Sequence, residues 1–536
     1  MKKRILMVSE SSVLSSGYAI YTYELLKRLN EIEDFEIAEL ACFVDHDDHR
    51  LKHIPWKVYV NKPPENSPQY NIYKSEKSYE FGEFTFNDVC LDFQPTHVID
   101  IRDFWMFAYQ GHSPYRDHYN WLIMPTVDAH PQNKEWIDYF KCADGVLTYS
   151  EFGRTTLSKQ CPSINLKGVA SPAANSCFKP MDKRIIRDKF NIAEDAFIIG
   201  TVMRNQRRKL FPDLFRSFDR LLSESKSKNL YLYCHTGFPD VGWSIPELLI
   251  EYNLSDKVLF TYKCDNCQHI ESCFFHDAIK QCKKCKTLSS KLSCTSFPIQ
   301  DSELAEIYNI FDVYVQLANS EGFGMPVVEA ASCGLPIIAT YYSAMQSTID
   351  NLDQFGVSIK HYTKEIETGC LRAAPEINEL NSYLHTLMTD TVIYNDYKFR
   401  ALDNKALYNW DRTAKVWENA IRSTNNKKLP WNSRPQIHEP SPLLDIPDPL
   451  NQANFLIIEV LGKPDWIGSF IWQRLVNDLT YKSRIGNMNQ GFYFNEDYIK
   501  DHTFRQPFSF TDAYNECVGI RNYYNQCEMK RCQNYE

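Results

Sequence analysis

Short apolar runs recur along the first third of the chain, at residues 5–9, 37–43, 97–101, 121–126 and 145–149. Each lacks the alternation of a half-exposed strand, so each predicts a strand buried on both faces of a parallel sheet. Between them the apolar period lengthens. After Gly17, Ile20, Leu25, Leu26 and Leu29 share one helical face. Ser150 opens the string Ser-Glu-Phe-Gly and predicts the N-cap of another helix. Strands alternating with helices predict a Rossmann-like domain over residues 1–175. Residues 170–180, Ala-Ser-Pro-Ala-Ala-Asn-Ser-Cys-Phe-Lys-Pro, read as a linker.

The pattern resumes at 197–202, 231–233, 258–260, 310–318 and 337–340, predicting a second α/β domain over 176–425. Its helices run on to about Ser423 and carry Trp410 and Trp417. Residues 263–297 interrupt the link between the strand at 258–262 and the helix at 301–310. Beyond 425 the character changes. Prolines at 430, 435, 440, 442, 447 and 449 predict an extended linker over 426–451. Residues 452–536, rich in Tyr, Phe and Asn with Trp466 and Trp472, predict a small accessory module.

A chain of 536 residues suits two or three domains, and 43% hydrophobic with 24% charged residues is ordinary globular composition. A net charge of −9 argues against a surface coated for nucleic acid or anionic lipid, though not against a local basic patch. No 18-residue apolar stretch predicts a membrane span. The start, Met-Lys-Lys-Arg-Ile-Leu-Met-Val-Ser, reads as a first strand rather than a signal peptide. A reducing, cytoplasmic setting is expected on that reading, and with it the 17 cysteines as thiols or metal ligands.

The densest chemistry lies between Glu321 and Glu329. Glu321-Gly322-Phe323-Gly324-Met325-Pro326-Val327-Val328-Glu329 comes after the strand at 310–318. Pro326 suits the first turn of a helix whose apolar face is Val327, Val328, Ala330 and Ala331, and Gly334 with Pro336 ends it. A glycine turn entering a helix aims backbone N–H groups and the positive end of the helix dipole at one point, a seat for phosphate. Upstream, after the strand at 197–202, Arg204 and Lys209 lie five apart in a loop that also holds Arg207 and Arg208. Such cations can neutralise a diphosphate.

These residues resemble the E-x7-E signature of retaining nucleotide-sugar glycosyltransferases of the GT-B fold, family 4 type. The resemblance covers about residues 1–425, apart from the insertion. It implies two Rossmann-like domains facing a cleft, with the last helices crossing back onto the first. It further implies that Arg204 and Lys209 hold the donor diphosphate, that Glu321 reaches the sugar hydroxyls, and that Glu329 accepts from the ribose. The N–H groups of Phe323, Gly324 and Met325 would contact sugar and phosphate, and Gly17 would let the backbone approach the diphosphate. Asp128 or His130, at the end of the strand at 121–126, would face the sugar from the first domain; the alternatives stay open. Transfer is then a front-face reaction without a catalytic metal, in which the departing phosphate takes the acceptor proton.

A second constellation lies in the insertion. Cys264-x2-Cys267 and Cys282-x2-Cys285 form two knuckles, the pattern of a zinc ribbon, with Cys273, His276 and Cys294 as substitute ligands. Four protein ligands leave no open position, so this zinc is expected to be structural. The insertion carries six lysines (263, 280, 283, 284, 286, 291) against Asp265, Glu271 and Asp277, a mildly basic patch. Together with the aromatic tail, which suits base stacking, it points to DNA bearing a hydroxymethyl base as acceptor, as for a virus-encoded modification enzyme. The alternatives are a glycan or lipid head group as acceptor, or a nucleic-acid-binding module on an inactive scaffold.

Overall fold

In the computed structural model, which describes residues 2–225, 229–295, 297–425 and 428–431, the strand-forming runs assemble into two large sheets. The first holds β1 (Lys3–Glu10), β2 (Phe35–Cys42), β3 (Lys57–Val60), β4 (His97–Asp100), β5 (Asn120–Ile123), β6 (Gly145–Thr148) and β7 (Leu166–Val169). They lie in the order β3-β2-β1-β4-β5-β6-β7, all parallel. Ile5, Leu6, Met7 and Val8 of the central β1 are fully buried, because helices cover both faces. The edge strands β3 and β7 were not expected. Their short sequences, Lys-Val-Tyr-Val and Leu-Lys-Gly-Val, lack a continuous apolar run, as an edge with one wet face permits. β5 stops three residues before the expected end. Met124 N–H still donates to the Asp100 carbonyl at 2.8 Å, but Pro125 then has no N–H to continue the ladder.

The second sheet holds β8 (Phe197–Val202), β9 (Leu230–His235), β10 (Val258–Cys264), β11 (Ile270–Phe274), β12 (Ile279–Gln281), β13 (Leu288–Leu292), β14 (Val313–Gln316), β15 (Ile337–Thr340) and β16 (Phe355–Val357). Its path is β12-β13-β10-β9-β8-β14-β15-β16, with β11 also on β10. From β10 to β16 neighbours are parallel; β11 and β13 run antiparallel to β10. The cysteine-rich insertion thus extends the core sheet. β14 is shorter than the apolar run 310–318, because Ile310 closes the helix Asp301–Ile310.

Helices were expected throughout the stretch from 340 to 423. Instead β16 leads into an antiparallel hairpin of β17 (Ile359–Lys364) and β18 (Leu371–Pro375) before the helices Ile377–Thr389 and Thr391–Asn404. Lys360, His361, Tyr362, Thr363 and Lys364 are all exposed, so this strand carries no buried face that periodicity could reveal.

The helix Trp410–Ser423 crosses back onto the first sheet, packing on the helix Gly17–Leu29 and on β7. Trp417 is fully buried and its indole N–H donates to the Tyr21 hydroxyl at 2.8 Å, while Tyr21 donates to the Ala170 carbonyl at 2.8 Å. Arg422 pairs with Asp34 through two 2.8 Å contacts, and Arg28 with Asp411 at 2.6 Å. The chain stays on the first sheet afterwards: Lys428 meets Asp144 at 3.0 Å and Trp431 stacks on His118 with ring centres 4.8 Å apart. The rest of the expected linker over 426–451 and the accessory module at 452–536 lie outside the described residues.

Candidate active site

β14 delivers the chain into the turn Gly322-Phe323-Gly324 and the helix Met325–Ser332. Gly324 occupies the N-cap in the left-handed region, φ 88° and ψ 56°, where a side chain would be strained. At Gly322 a Cβ would lie 2.4 Å from the Thr126 methyl, so here the two halves of the molecule approach backbone to side chain. Val327, Val328, Ala330 and Ala331 bury the helix. It ends with Leu335 N–H on the Ala330 carbonyl (3.1 Å) and Gly334 N–H on that of Ala331 (2.9 Å), a Schellman close at Gly334, φ 76°.

Glu321 enters this turn with its carboxylate almost wholly buried. Lys209 Nζ contacts Oε1 directly, Gln316 Nε2 donates to Oε1 at 3.0 Å, and Arg208 Nη1 reaches Oε2 at 2.5 Å. Burial and the neighbouring Arg208 charge pull the Lys209 pKa well down. The loop holding the two cations docks beside β14 through the Lys209–Ala318 bridge and Trp243 Nε1 donating to the Lys209 carbonyl at 2.7 Å. Arg204 also lines the cleft, but its guanidinium is half exposed and pairs with Asp240 at 3.0 Å. Arg208, which the sequence places only in a basic loop, is the arginine on Glu321. Its position beside Lys209 is visible in the sequence; its orientation is not.

Glu329 lies in the second turn of the same helix, buried, with Tyr308 donating to Oε2 at 2.7 Å. Burial pushes its carboxyl up to about 7; the Tyr308 hydrogen bond works against that shift and Asp301 adds to it. Glu321, Glu329, Phe323, Gly324, Met325, Arg204 and Lys209 line one cleft of about 490 Å³, whose opposite wall includes Gly17, Tyr18 and Thr126. Phe323 packs edge-on against Tyr408, and Gly17 faces the Met325 sulfur.

Asp128 and His130 do not line that cleft. Asp128 Oδ2 accepts from Arg372 Nη1 at 2.8 Å and Ser320 Oγ at 3.1 Å, while Arg372 Nη2 reaches Glu365 at 2.6 Å. Burial disfavours the Arg372 charge, but Glu365 and Asp128 outweigh it and raise its pKa. His130 touches the Tyr342 hydroxyl at 3.2 Å through Nδ1, and its carbonyl accepts from Leu371 N–H at 2.9 Å. Burial, helped by the Lys159 charge, lowers its pKa. Of the two, Asp128 is the one tied to the residue next to Glu321. Asp103, two residues past the expected end of the strand at 97–101, was missed. It accepts from Tyr18 OH at 3.1 Å, and Tyr18 also meets Thr126 Oγ1 at 2.9 Å. Burial raises the Asp103 carboxyl; Thr126 opposes that and Asp128 adds to it. Its place at the carboxyl end of a parallel strand was the available signal.

The four knuckle cysteines converge, with all four sulfurs within 4.8 Å of one another. Cys264 and Cys285 are 3.5 Å apart, Cys267 and Cys282 3.7 Å. Metal–thiolate bonds of about 2.3 Å in a tetrahedron place sulfurs about 3.8 Å apart, so the set fits zinc; a disulfide would need about 2 Å. The two knuckles trace the same path. Gln268 and Lys286, each just after the second cysteine, have φ of 58° and 63° and donate to the carbonyls of Cys264 and Cys282 at 2.9 and 3.0 Å. Cys273, His276 and Cys294 lie outside this set; Cys273 packs in the apolar core of the second sheet and Cys294 lines the cleft. The lysines around it are largely matched: Lys280 and Lys283 by Glu271 at 2.7 and 3.4 Å, Lys291 by Asp265 at 3.0 Å, and Lys263 by the Pro298 carbonyl at 2.8 Å. Among the described residues, no helix is long and apolar enough to cross a membrane.

Two parallel-sheet halves facing a cleft, with the helix Trp410–Ser423 returned to the first half, make this a GT-B fold. Within it, residues 280–398 match the family model for "Glycosyl transferases group 1". A segment of 125 residues is 24% identical to the serotype-specific mannosyltransferase WbdA of Escherichia coli, covering 23% of this chain and 13% of that protein. Another 125-residue match, 30% identical, is to the phosphatidylinositol N-acetylglucosaminyltransferase gpi3 subunit of Schizosaccharomyces pombe, covering 22% and 23%. Among solved structures, sucrose-phosphate synthase from Thermosynechococcus elongatus superposes with a TM-score of 0.58 at 18% identity, over 78% of this chain and 98% of that one. HepE of Anabaena, in complex with UDP and glucose, gives 0.54 at 13% identity, over 78% and 100%.

Proposed function

We propose that this chain is a retaining glycosyltransferase that moves a sugar from a nucleotide-sugar donor to an acceptor hydroxyl. The observation that carries the reading is the grouping of Glu321, the Gly322–Gly324 turn, Lys209 and the buried Glu329 on one wall of the cleft. The turn and helix N-terminus seat the diphosphate. Lys209, Arg204 and Arg208 balance its charge and stabilise the leaving phosphate. Glu329, held by Tyr308, accepts from the ribose, and Glu321 orients the sugar. The leaving phosphate oxygen takes the acceptor proton as the new glycosidic bond forms on the same face. The complex of HepE with UDP and glucose supports a nucleotide-sugar donor. The test is calorimetric titration and donor hydrolysis with a panel of nucleotide sugars. Binding and nucleotide release with one of them are expected; neither, with any of them, overturns the reading.

For the acceptor we favour a hydroxyl of a glycan or lipid-linked glycan, in line with the relatives named mannosyltransferase and phosphatidylinositol N-acetylglucosaminyltransferase. DNA bearing a hydroxymethyl base is the second reading. It rests on Lys284 and Lys286, exposed on the second knuckle, and on the aromatic tail outside the described residues. The pairing of Lys280, Lys283 and Lys291 leaves it less positive surface than the sequence count suggests. Labelled donor offered to hydroxymethylated duplex and to oligosaccharides, at two salt concentrations, separates the two, since DNA binding weakens steeply with salt. We assign one structural zinc to Cys264, Cys267, Cys282 and Cys285; metal analysis should find about one equivalent, lost in Cys264→Ser. The thiols of the described cysteines suit a reducing compartment such as the cytoplasm.

A further inference from the structure

The cysteine-rich insertion leaves and re-enters the fold beside the cleft. β10 pairs with β9 in the core of the sheet and runs on to Cys264. β13 returns along it in the register Tyr262↔Leu292, Lys263↔Lys291 and Cys264↔Ser290. The four sulfurs lie at the far end of this ladder, joining the end of β10 to the turn between β12 and β13.

After β13 the chain makes a tight return leg. Ser293 N–H donates to the Thr261 carbonyl at 3.0 Å, and Cys294 and Phe297 exchange N–H···O bonds of 3.2 and 3.0 Å. The Lys263 and Lys291 ammonium groups sit 5.3 and 5.4 Å from the centre of the Phe297 ring. Ser293, Cys294, Thr295 and Pro298 of this leg line the cleft. The leg is pressed against Gly237, where a Cβ would lie 2.5 Å from that of Cys294. It leads into Ile299, Asp301 and Leu304, which line the cleft together with Glu329. With the diphosphate on the glycine turn and the ribose on Glu329, the base continues toward this leg.

We propose that the metal held by the four cysteines fixes Ser293, Cys294, Thr295 and Pro298 as the wall of the donor cleft that the nucleobase meets. This rests on the donor reading above. β11 meets β10 through five paired positions, but the β12–β13 ribbon on the other side of β10 is narrow. β12 has three residues, and β13 meets β10 through three paired positions. A two-stranded ribbon as short as β12–β13 is marginal by itself. A four-thiolate centre joining Cys264 to the β12–β13 turn clamps the far end of the short ladder, three paired positions from the end at which Ser293 departs into the wall. The diphosphate seat, built from β14, its helix and residues 204–209, is independent of that ribbon.

The test titrates uridine, guanosine, adenosine and cytidine diphosphates, and separately inorganic pyrophosphate, into the full-length protein. Three forms are compared: zinc-loaded, stripped by chelator, and Gly237→Ala, which keeps all four cysteines but pushes the wall through Cys294. In the stripped form and in Gly237→Ala, affinity for the preferred nucleoside diphosphate should fall at least tenfold, with pyrophosphate affinity unchanged. Gly237→Ala should retain its zinc, and reloading should restore the stripped form. Equal nucleoside diphosphate affinity in all three forms overturns the inference, as does a parallel loss of pyrophosphate binding, which would report general unfolding. If the native protein binds pyrophosphate but none of the nucleoside diphosphates, the donor reading falls, and the inference with it.

Discussion

Glu321→Gln removes the negative charge that both Lys209 and Arg208 contact. Two consequences are separable. On the proposed roles, in which Glu321 meets the sugar and its cationic neighbours the leaving phosphate, transfer should fall by a factor of a hundred or more, about 3 kcal/mol in kcat/KM. The fold should persist but melt lower, since the buried Lys209 and the half-buried Arg208 lose the carboxylate they both contact. Adding Lys209→Met should recover the melting temperature without recovering activity. Normal turnover in a folded Glu321→Gln protein would remove Glu321 from the chemistry. Glu329 predicts a pH dependence. In the empty cleft its carboxyl holds a proton below about 7. In the proposed role Glu329 accepts two ribose hydroxyls as the carboxylate, so binding expels that proton below this pH and releases none above it. Nucleoside diphosphate affinity should therefore rise by about tenfold per pH unit below 7 and level off above it. Glu329→Gln should bind weakly with no such slope; a wild-type profile flat from pH 5.5 to 8 would contradict the assignment. Lys209 and Glu321 were legible because each sits in a short local string. Arg208, Asp103 and Arg372 were not, because what marks them is a partner more than eighty residues away or a side-chain direction.

At the scale of elements, the glycine turn depends on Gly324. Alanine there would hold a left-handed backbone at a cost of about 1–3 kcal/mol, and its Cβ would lie 3.1 Å from Gln316 Nε2, which also supports Glu321. Gly324→Ala should weaken pyrophosphate binding by roughly tenfold or more while zinc content stays unchanged; unaltered pyrophosphate affinity would move the phosphate seat elsewhere. Central parallel strands, Ser150 as a helix cap and the helix after Pro326 could be read from the chain, because burial on both faces and capping leave marks a few residues long. The edge strands β3 and β7 and the β17–β18 hairpin left none. Their stability comes from neighbours already in place, and their exposed faces accept almost any residue.

Across the whole molecule, the return of the helix Trp410–Ser423 decides how the two halves are held. Trp417→Ala should cost about 3–5 kcal/mol, because a large ring is lost from a site with no exposure and Tyr21 loses its donor. Denaturant unfolding should register that loss in the signal of the first sheet, although the substitution lies some 250 residues beyond the last of its strands. A variant melting like the parent would mean the contact is incidental. Arg372 ties the halves on another line: with Ser320 of its own half it holds Asp128 of the first. This long-range closure was only implied by the resemblance, since nothing local in Trp417 names Tyr21 as its partner.

The same helix sets a timetable for biosynthesis. The groove beside Tyr21 and β7 is filled by Trp410 and Trp417, which leave the ribosome long after the first sheet has emerged. At translation rates of about 5–20 residues per second, that apolar groove stays open for tens of seconds. The nascent first half therefore waits for a strap made much later with an apolar face uncovered, the kind of transient surface that chaperones shield.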